Sequence, residues 1–318
     1  MDQVTIGALQ KGMRIDAFLL VRSAEQRTGK NGTRYLDLNL CDRTGEINCK
    51  MWDGNVPAPQ MGTVIKIRGT VEEYNGRPQL RIEQLRAPRE GDDVDLAQLV
   101  PCAPLPPEEM RGQIDQVIEA FESEDLNKLV REMLRMAGDP LDYYPAAKRL
   151  HHAERSGLLH HTTSMLSTAE HILAAYPFLR GDLLRAGVIL HDLGKITEMK
   201  SDTLGNVTDY SRDGLLIGHL VRGVANLELA AERVGVHGEL VLLLEHMIIS
   251  HHGEAQFGSP KLPAFAEAEA LHWIDLLDAR MNDIAGIMER TPAGAFSEPI
   301  WSLDNRRLYH PYYTEDAE

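Results

Sequence analysis

The chain has 318 residues, of which 43% are hydrophobic and 25% charged, and its formal net charge is −15. This length can bury the core of one large domain or two ordinary ones, and without an apolar run of membrane-spanning length no transmembrane helix and no membrane partner are expected. The charge is divided unevenly: residues 1–90 carry 14 lysines and arginines against 11 acidic residues, and the remainder 19 against 37. Such asymmetry predicts a polyanion-binding part joined to a part with another task.

Residues 1–90 read as strands. Segments 14–21, 35–40, 46–52, 64–71 and 79–85 are apolar or alternate with period two. Turn signals separate them at Thr28 to Gly32, Asp42 to Gly45 and the Asn75-Gly76 pair. Five short strands in this length predict a small closed barrel, and the OB-fold is the usual five-stranded solution. Lys30, Arg34, Lys66, Arg68 and Arg77, with Lys50 and Arg81, are interleaved with Tyr35, Trp52 and Tyr74. Cations for phosphates and rings for bases are what a single-strand-binding surface requires.

Residues 91–140 are expected to form a linker and leading helices, opening on Gly91-Asp92-Asp93 and on Pro101, Pro104, Pro106 and Pro107. From Glu108 the periodicity changes to 3.6. Helices are predicted at 108–121, 124–137, 158–175, 180–192, 215–234, 238–250 and 264–290, so the second part is read as an all-α bundle. The tail, residues 292–318, carries Trp301, Tyr309, Tyr312 and Tyr313 and is expected to pack on a domain or on a second copy. Three cysteines (Cys41, Cys49, Cys102) without zinc-type spacing, and no basic-then-apolar leader, predict a cytoplasmic location.

The adjacent pair His191-Asp192 closes the apolar run that starts at Gly187. Imidazole beside carboxylate suits manganese, iron, cobalt or zinc. Neighbours on a helix point about 100° apart, so both reach one ion only where the helix ends. Gly194 is expected to end it through a left-handed conformation. Further ligand-type residues recur at His161, His219, His246 and Asp275, each 27–30 residues from the next in the series with His191. One such residue per helix is how bundle cores build metal sites.

These residues resemble the HD superfamily of metal-dependent phosphohydrolases, whose histidine, His-Asp pair and final aspartate are matched by His161, His191-Asp192 and Asp275. Tyr144 to His152, Gly157 to Thr162, Gly187 to Lys195, Glu245 to Gly253 and Gly258 to Pro260 are similar to the YhaM family of 3′→5′ exoribonucleases. That family also places an OB module ahead of its HD domain, matched by Tyr35 to Leu38 and Asp42 to Ile47, and the likeness runs from residue 1 to about 313. The resemblance implies an OB-fold domain at 1–90 and an HD phosphohydrolase domain at 141–291. It implies that His161, His191, Asp192 and Asp275 hold one divalent ion, and that Asp192 can bridge to a second held by His219 and one of His246, His251 or His252.

Paired histidines before a loop in two-metal relatives favour His251 as ligand and His252 near substrate. The 27-residue cadence favours His246, and both readings stay open. Lys195 is read as a point charge for the scissile phosphate, and His152 as part of the rim or a helix cap. The implied cofactor is one or two divalent ions, manganese first, with cobalt, iron, zinc or magnesium as alternatives. The implied reaction is hydrolysis of single-stranded RNA, and by extension single-stranded DNA, from the 3′ end to nucleoside 5′-monophosphates, by a protein able to form a homo-oligomer. The alternatives are an HD-type phosphohydrolase of small nucleotides and a non-catalytic nucleic-acid-binding scaffold.

Overall fold

A computed structural model describes residues 4–29, 32–53, 55–74, 76–148 and 152–312. Lys30, Asn75, His151 and Tyr313 lie outside the described residues. The chain divides into two compact units, Met1–Cys102 and Ala103–Glu318.

In the first unit, β1 (Arg14–Thr28), β2 (Arg34–Asp42), β3 (Gly45–Met51), β4 (Val64–Tyr74) and β5 (Arg77–Arg86) close a barrel in the order β1-β2-β3-β5-β4. Every neighbouring pair is antiparallel except β3–β5, which pairs parallel over Asn48–Lys50 and Gln79–Arg81. This is the expected OB-fold. The period-two alternation sends Leu36, Leu38 and Leu40 from β2 and Leu80 from β5 into one buried core with Ile47, Cys49 and Ile67. Burial pushes the Cys49 thiol up, leaving it a small inert hydrophobe.

β1 runs seven residues past the expected end at Val21. Its first half pairs with β4 and its second half with β2, with a bulge between Val21 and Ser23 where the strand changes partner. Apart from Ala24, the residues beyond the bulge are polar. Main-chain bonding to Arg34–Asn39 extends the strand there, without any alternation to announce it.

The second unit is helical: α1 (Pro107–Glu119), α2 (Glu124–Ala137), α3 (Gly157–Ala175), α4 (Gly181–Leu190), α5 (Lys195–Glu198), α6 (Arg212–Leu216), α7 (Gly218–Val234), α8 (Glu239–Ser250) and α9 (Ala266–Arg290). Pro107 starts α1 at the position where its missing N–H costs nothing, and the Ser123 hydroxyl accepts from Leu126 N at 3.3 Å to cap α2. α3 packs on α4 and α9, and α4 on α8 and α9, around a single core that includes Leu158, Leu184, Leu244 and Leu271. The expectation of purely helical structure misses a short hairpin, β6 (Met199–Ser201) with β7 (Val207–Tyr210), between α5 and α6. The tail folds back on this unit: Leu303 is buried, and Ser302 Oγ donates to Asp283 Oδ2 of α9 at 3.0 Å. No helix among the described residues is long and apolar enough to cross a membrane.

Candidate functional site

α4 ends at Leu190, so His191 and Asp192 sit on the turn that leads into α5, as two ligands on adjacent residues require. Gly194 is needed there for a different reason from the one expected. Its φ of −60° is right-handed, but a Cβ would stand 2.3 Å from the His219 carbonyl oxygen at the start of α7. The close approach of two backbones, not a left-handed turn, demands glycine.

Four imidazoles converge from four elements, and each is anchored through Nδ1 to an acceptor behind it. His161 Nδ1, on α3, donates to Asp278 Oδ2 of α9 at 2.7 Å. His191 Nδ1 donates to the Val188 carbonyl at 2.8 Å, and His251 Nδ1, after α8, to the Ile248 carbonyl at 2.8 Å. His219 Nδ1 meets Glu198 Oε1 at 3.0 Å, and the same oxygen accepts from the His219 main-chain N–H at 3.1 Å. An outer acceptor on Nδ1 orients each ring with Nε2 toward the cluster and, in the neutral imidazole, leaves Nε2 a lone-pair donor.

Those Nε2 atoms face Asp192 and Asp275. Asp192 Oδ2 lies 3.8 Å from His161 Nε2 and 3.3 Å from His191 Nε2. Asp192 Oδ1 lies 3.6 Å from His219 Nε2 and 3.7 Å from His251 Nε2. Asp275 Oδ1 is 3.2 Å from His161 Nε2, and the Lys195 ammonium is 2.6 Å from Asp192 Oδ2. His191 Nε2, His219 Nε2, His251 Nε2 and Asp192 Oδ1 are buried without a hydrogen-bond partner. Orphaned buried polar atoms are costly, and four on one point fit the donor set of a divalent cation. Three overlapping triads bring ligand atoms within 4.8 Å of one another: His161, His191 and Asp192; His191, His251 and Asp275; His219, His251 and His252.

The electrostatics differ across the cluster. Burial opposes charge on His161, yet Asp275 and Asp278 raise its imidazole to about 9. Burial opposes charge on Asp192 too, and Lys195, His191 and His219 nevertheless hold it well below the carboxylate range. At the far end burial, with His191 and His252 as neighbours, drives His251 well down, so that ring is neutral and ready to ligate.

Of the sequence-predicted residues, His161, His191, Asp192, His219, His251, His252 and Asp275 are brought together, with Lys195 beside them. His246 is not: its Nε2 accepts from Ala264 N at 3.0 Å and its ring packs on Phe265. The regular cadence fails there because α8 continues one further turn before His251, the histidine that faces Asp192. His152 lies in the layer behind the cluster, its Nε2 donating to Asp278 Oδ2 at 2.8 Å and its Nδ1 lying 3.0 Å from His160 Nδ1. Glu154, which accepts from His160 at 2.7 Å, completes that layer. Sequence reasoning missed Asp278, Glu198, Glu154 and His160 as supporting groups. Asp278, one helical turn after Asp275, was the one with a spacing signal.

On the barrel the predicted residues fall into three groups. Tyr35 and Trp52 pair with centroids 4.9 Å apart, and Lys50 Nζ lies 4.9 Å from the Tyr35 centroid. Trp52 is exposed. Lys66 and Arg68 both bind Asp16, at 3.4 and 2.6 Å. Tyr74, exposed, and Arg77 flank the β4–β5 turn; Arg34 is exposed at the start of β2.

A five-stranded OB barrel followed by a helical domain with this His/Asp constellation defines an HD-type metal-dependent phosphohydrolase with a nucleic-acid-binding module. An OB-fold nucleic acid binding domain model matches residues 20–87 and an HD domain model matches residues 158–280. The 3′-5′ exoribonuclease YhaM of Geobacillus sp. (strain WCH70) is 39% identical over 308 residues, covering 95% of this chain and 94% of that protein. The Bacillus subtilis (strain 168) 3′-5′ exoribonuclease YhaM is 39% identical over 307 residues, covering 95% and 96%. Among solved structures, the second OB-fold domain of replication protein A from Methanococcus maripaludis aligns with 30% of this chain and all of that one, at 17% identity and a TM-score of 0.24. The chain belongs to the YhaM family of 3′-5′ exoribonucleases.

Proposed function

We propose that the protein shortens single-stranded RNA from its 3′ end, releasing nucleoside 5′-monophosphates, at a centre where Asp192 is shared by two divalent ions. The observation that carries this is the division of Asp192: Oδ2 faces His161 and His191, and Oδ1 faces His219 and His251. One ion would be held by His161, His191, Asp192 and Asp275, and the other by Asp192, His219 and His251. Divalent ions so held lower the pKa of water toward neutrality and polarise a phosphoryl oxygen.

The chain's own residues do the rest. Asp278 and Glu198 hold the imidazoles of His161 and His219 in register. Lys195, whose charge is secured by Asp192, offers its remaining N–H donors to the scissile phosphate. His252 is kept neutral by burial and by neighbouring His219, and so can take a proton from the attacking water. The barrel supplies cations and rings for a single strand of any sequence. Manganese is the first choice of metal for a mixed imidazole–carboxylate set.

End-labelled RNA and DNA digested in manganese, cobalt, magnesium and chelator test the proposal. The expected result is a ladder shortening from the 3′ end, stopped by chelator. Asp192→Asn should reduce the rate by more than the roughly 10–100-fold that loss of an outer carboxylate costs. His219→Ala should lower metal content from two ions per chain to one. Faster turnover of free nucleotides than of oligonucleotides would overturn the substrate assignment in favour of a small-nucleotide phosphohydrolase.

A further inference from the structure

The cluster opens onto a cleft of about 900 Å³, within the size range of small-molecule sites. Lys195, His219 and His252 line it together with Lys148, Tyr210 and Trp301. The last three take no part in the hydrolytic centre.

Trp301 is 72% exposed, although the backbone that carries it is fixed on all sides. Ile300 and Arg306 pair across a tight reversal whose tip, Asp304 and Asn305, is left-handed, a conformation that Asp and Asn tolerate better than other side chains. Leu303, two residues after the tryptophan, is 1% exposed, and Ser302 is tied to Asp283. Single exposed aromatics are ordinary on protein surfaces. An indole held at the edge of a reactive cleft by a buried leucine and a hydrogen bond is not explained by chance exposure. Tyr210, at the end of β7, has Lys148 Nζ 5.6 Å from its ring centroid, and Lys148 also meets Asp209 at 3.7 Å.

We propose that this cleft is the subsite for the 3′-terminal nucleotide, its base stacking on Trp301 beside Tyr210 and its sugar-phosphate meeting Lys148. The inference rests on the exoribonuclease reading and adds to it where the last base is held. Three observations favour a nucleotide over another occupant. Two rings and an ammonium line the same cleft, which suits a flat π-system carrying negative charge. Lys195, His219 and His252 of the hydrolytic cluster line the same cleft, so a phosphate on an occupant has those groups within the one space. Stacking accepts every base, as stepwise removal of unlike nucleotides demands.

The test compares the first cleavage of a 5′-labelled RNA with that of the same RNA carrying an abasic 3′-terminal nucleotide, using the metal-loaded full chain. The wild-type KM is expected to be on the order of tenfold lower for the intact end. In Trp301→Ala the two KM values should converge, and Trp301→Phe should restore most of the gap. Metal content of each variant controls for folding. If the wild type does not distinguish the two ends, or if Trp301→Ala keeps the full preference for the intact end, the subsite assignment is overturned. If neither RNA is shortened from its 3′ end, the exoribonuclease reading fails instead.

Discussion

Asp278 does its work from behind the cluster. One of its oxygens accepts from His161 Nδ1 and His152 Nε2, and the other accepts from the Ser164 hydroxyl. Burial opposes its charge, yet these donors hold the carboxyl far below its ordinary range. Asp278→Asn keeps the shape but loses the anion, and an amide that presents N–H toward an imidazole donor releases the His161 ring. Metal affinity should therefore fall by about 10–100-fold. A competition titration against a fluorescent chelator reads this directly, and an unchanged affinity would show that His161 does not depend on Asp278. The ligand-type residues themselves were legible, because an adjacent His-Asp pair and one ligand per helix leave a spacing in the chain. The supporting carboxylates were not. With 48 acidic residues in the sequence, nothing marks Glu198 or Glu154 until the fold sets them beside a histidine.

The packing of α7 against α8 brings two carboxylic acids together. Glu245 Oε1 is buried without a hydrogen-bond partner, and burial together with Glu228 raises Glu245 from an ordinary 4.5 to about 7. A raised folded-state value means that the folded form prefers the proton. The stability linked to that preference is fully present below about 4.5 and is lost as pH rises through about 7. Glu245→Gln removes the titration while keeping the shape. In calorimetry with chelator present, the variant should melt higher than the wild type at about pH 8, by on the order of a few °C, with the gap shrinking toward about pH 5. A gap independent of pH would refute the assignment. At this scale the long helices and the five strands were readable from periodicity. The hairpin of β6 and β7 and the short α5 and α6 were not, because three to five residues span too few repeats to establish a period. The unread stretch carries Lys195, Glu198 and Tyr210, so the least legible segment is also one that builds the site.

Over the whole molecule, a net charge of −15 conceals a barrel segment that carries more cations than anions. Binding of a single-stranded polyanion should therefore be governed by local cations and fall steeply with salt, by about 0.7 in the log–log slope for each phosphate neutralised. The barrel's cations are not equivalent. Arg68 is bound by Asp16 at 2.6 Å, and Lys66 shares that carboxylate. Arg34 and Arg77 have no carboxylate partner among the described residues and keep their full charge for phosphate. In a salt titration of RNA binding with chelator present, Arg34→Ala and Arg77→Ala should each flatten the slope by about 0.7, and Arg68→Ala by distinctly less. Removing both rings, Tyr35→Ala with Trp52→Ala, should lower affinity by about tenfold or more at every salt concentration and leave the slope unchanged, since stacking releases no counterions. Equal flattening by Arg68→Ala and Arg34→Ala would mean that Asp16 gives up its partners when RNA arrives. A slope near zero in the wild type would remove the barrel from RNA binding altogether.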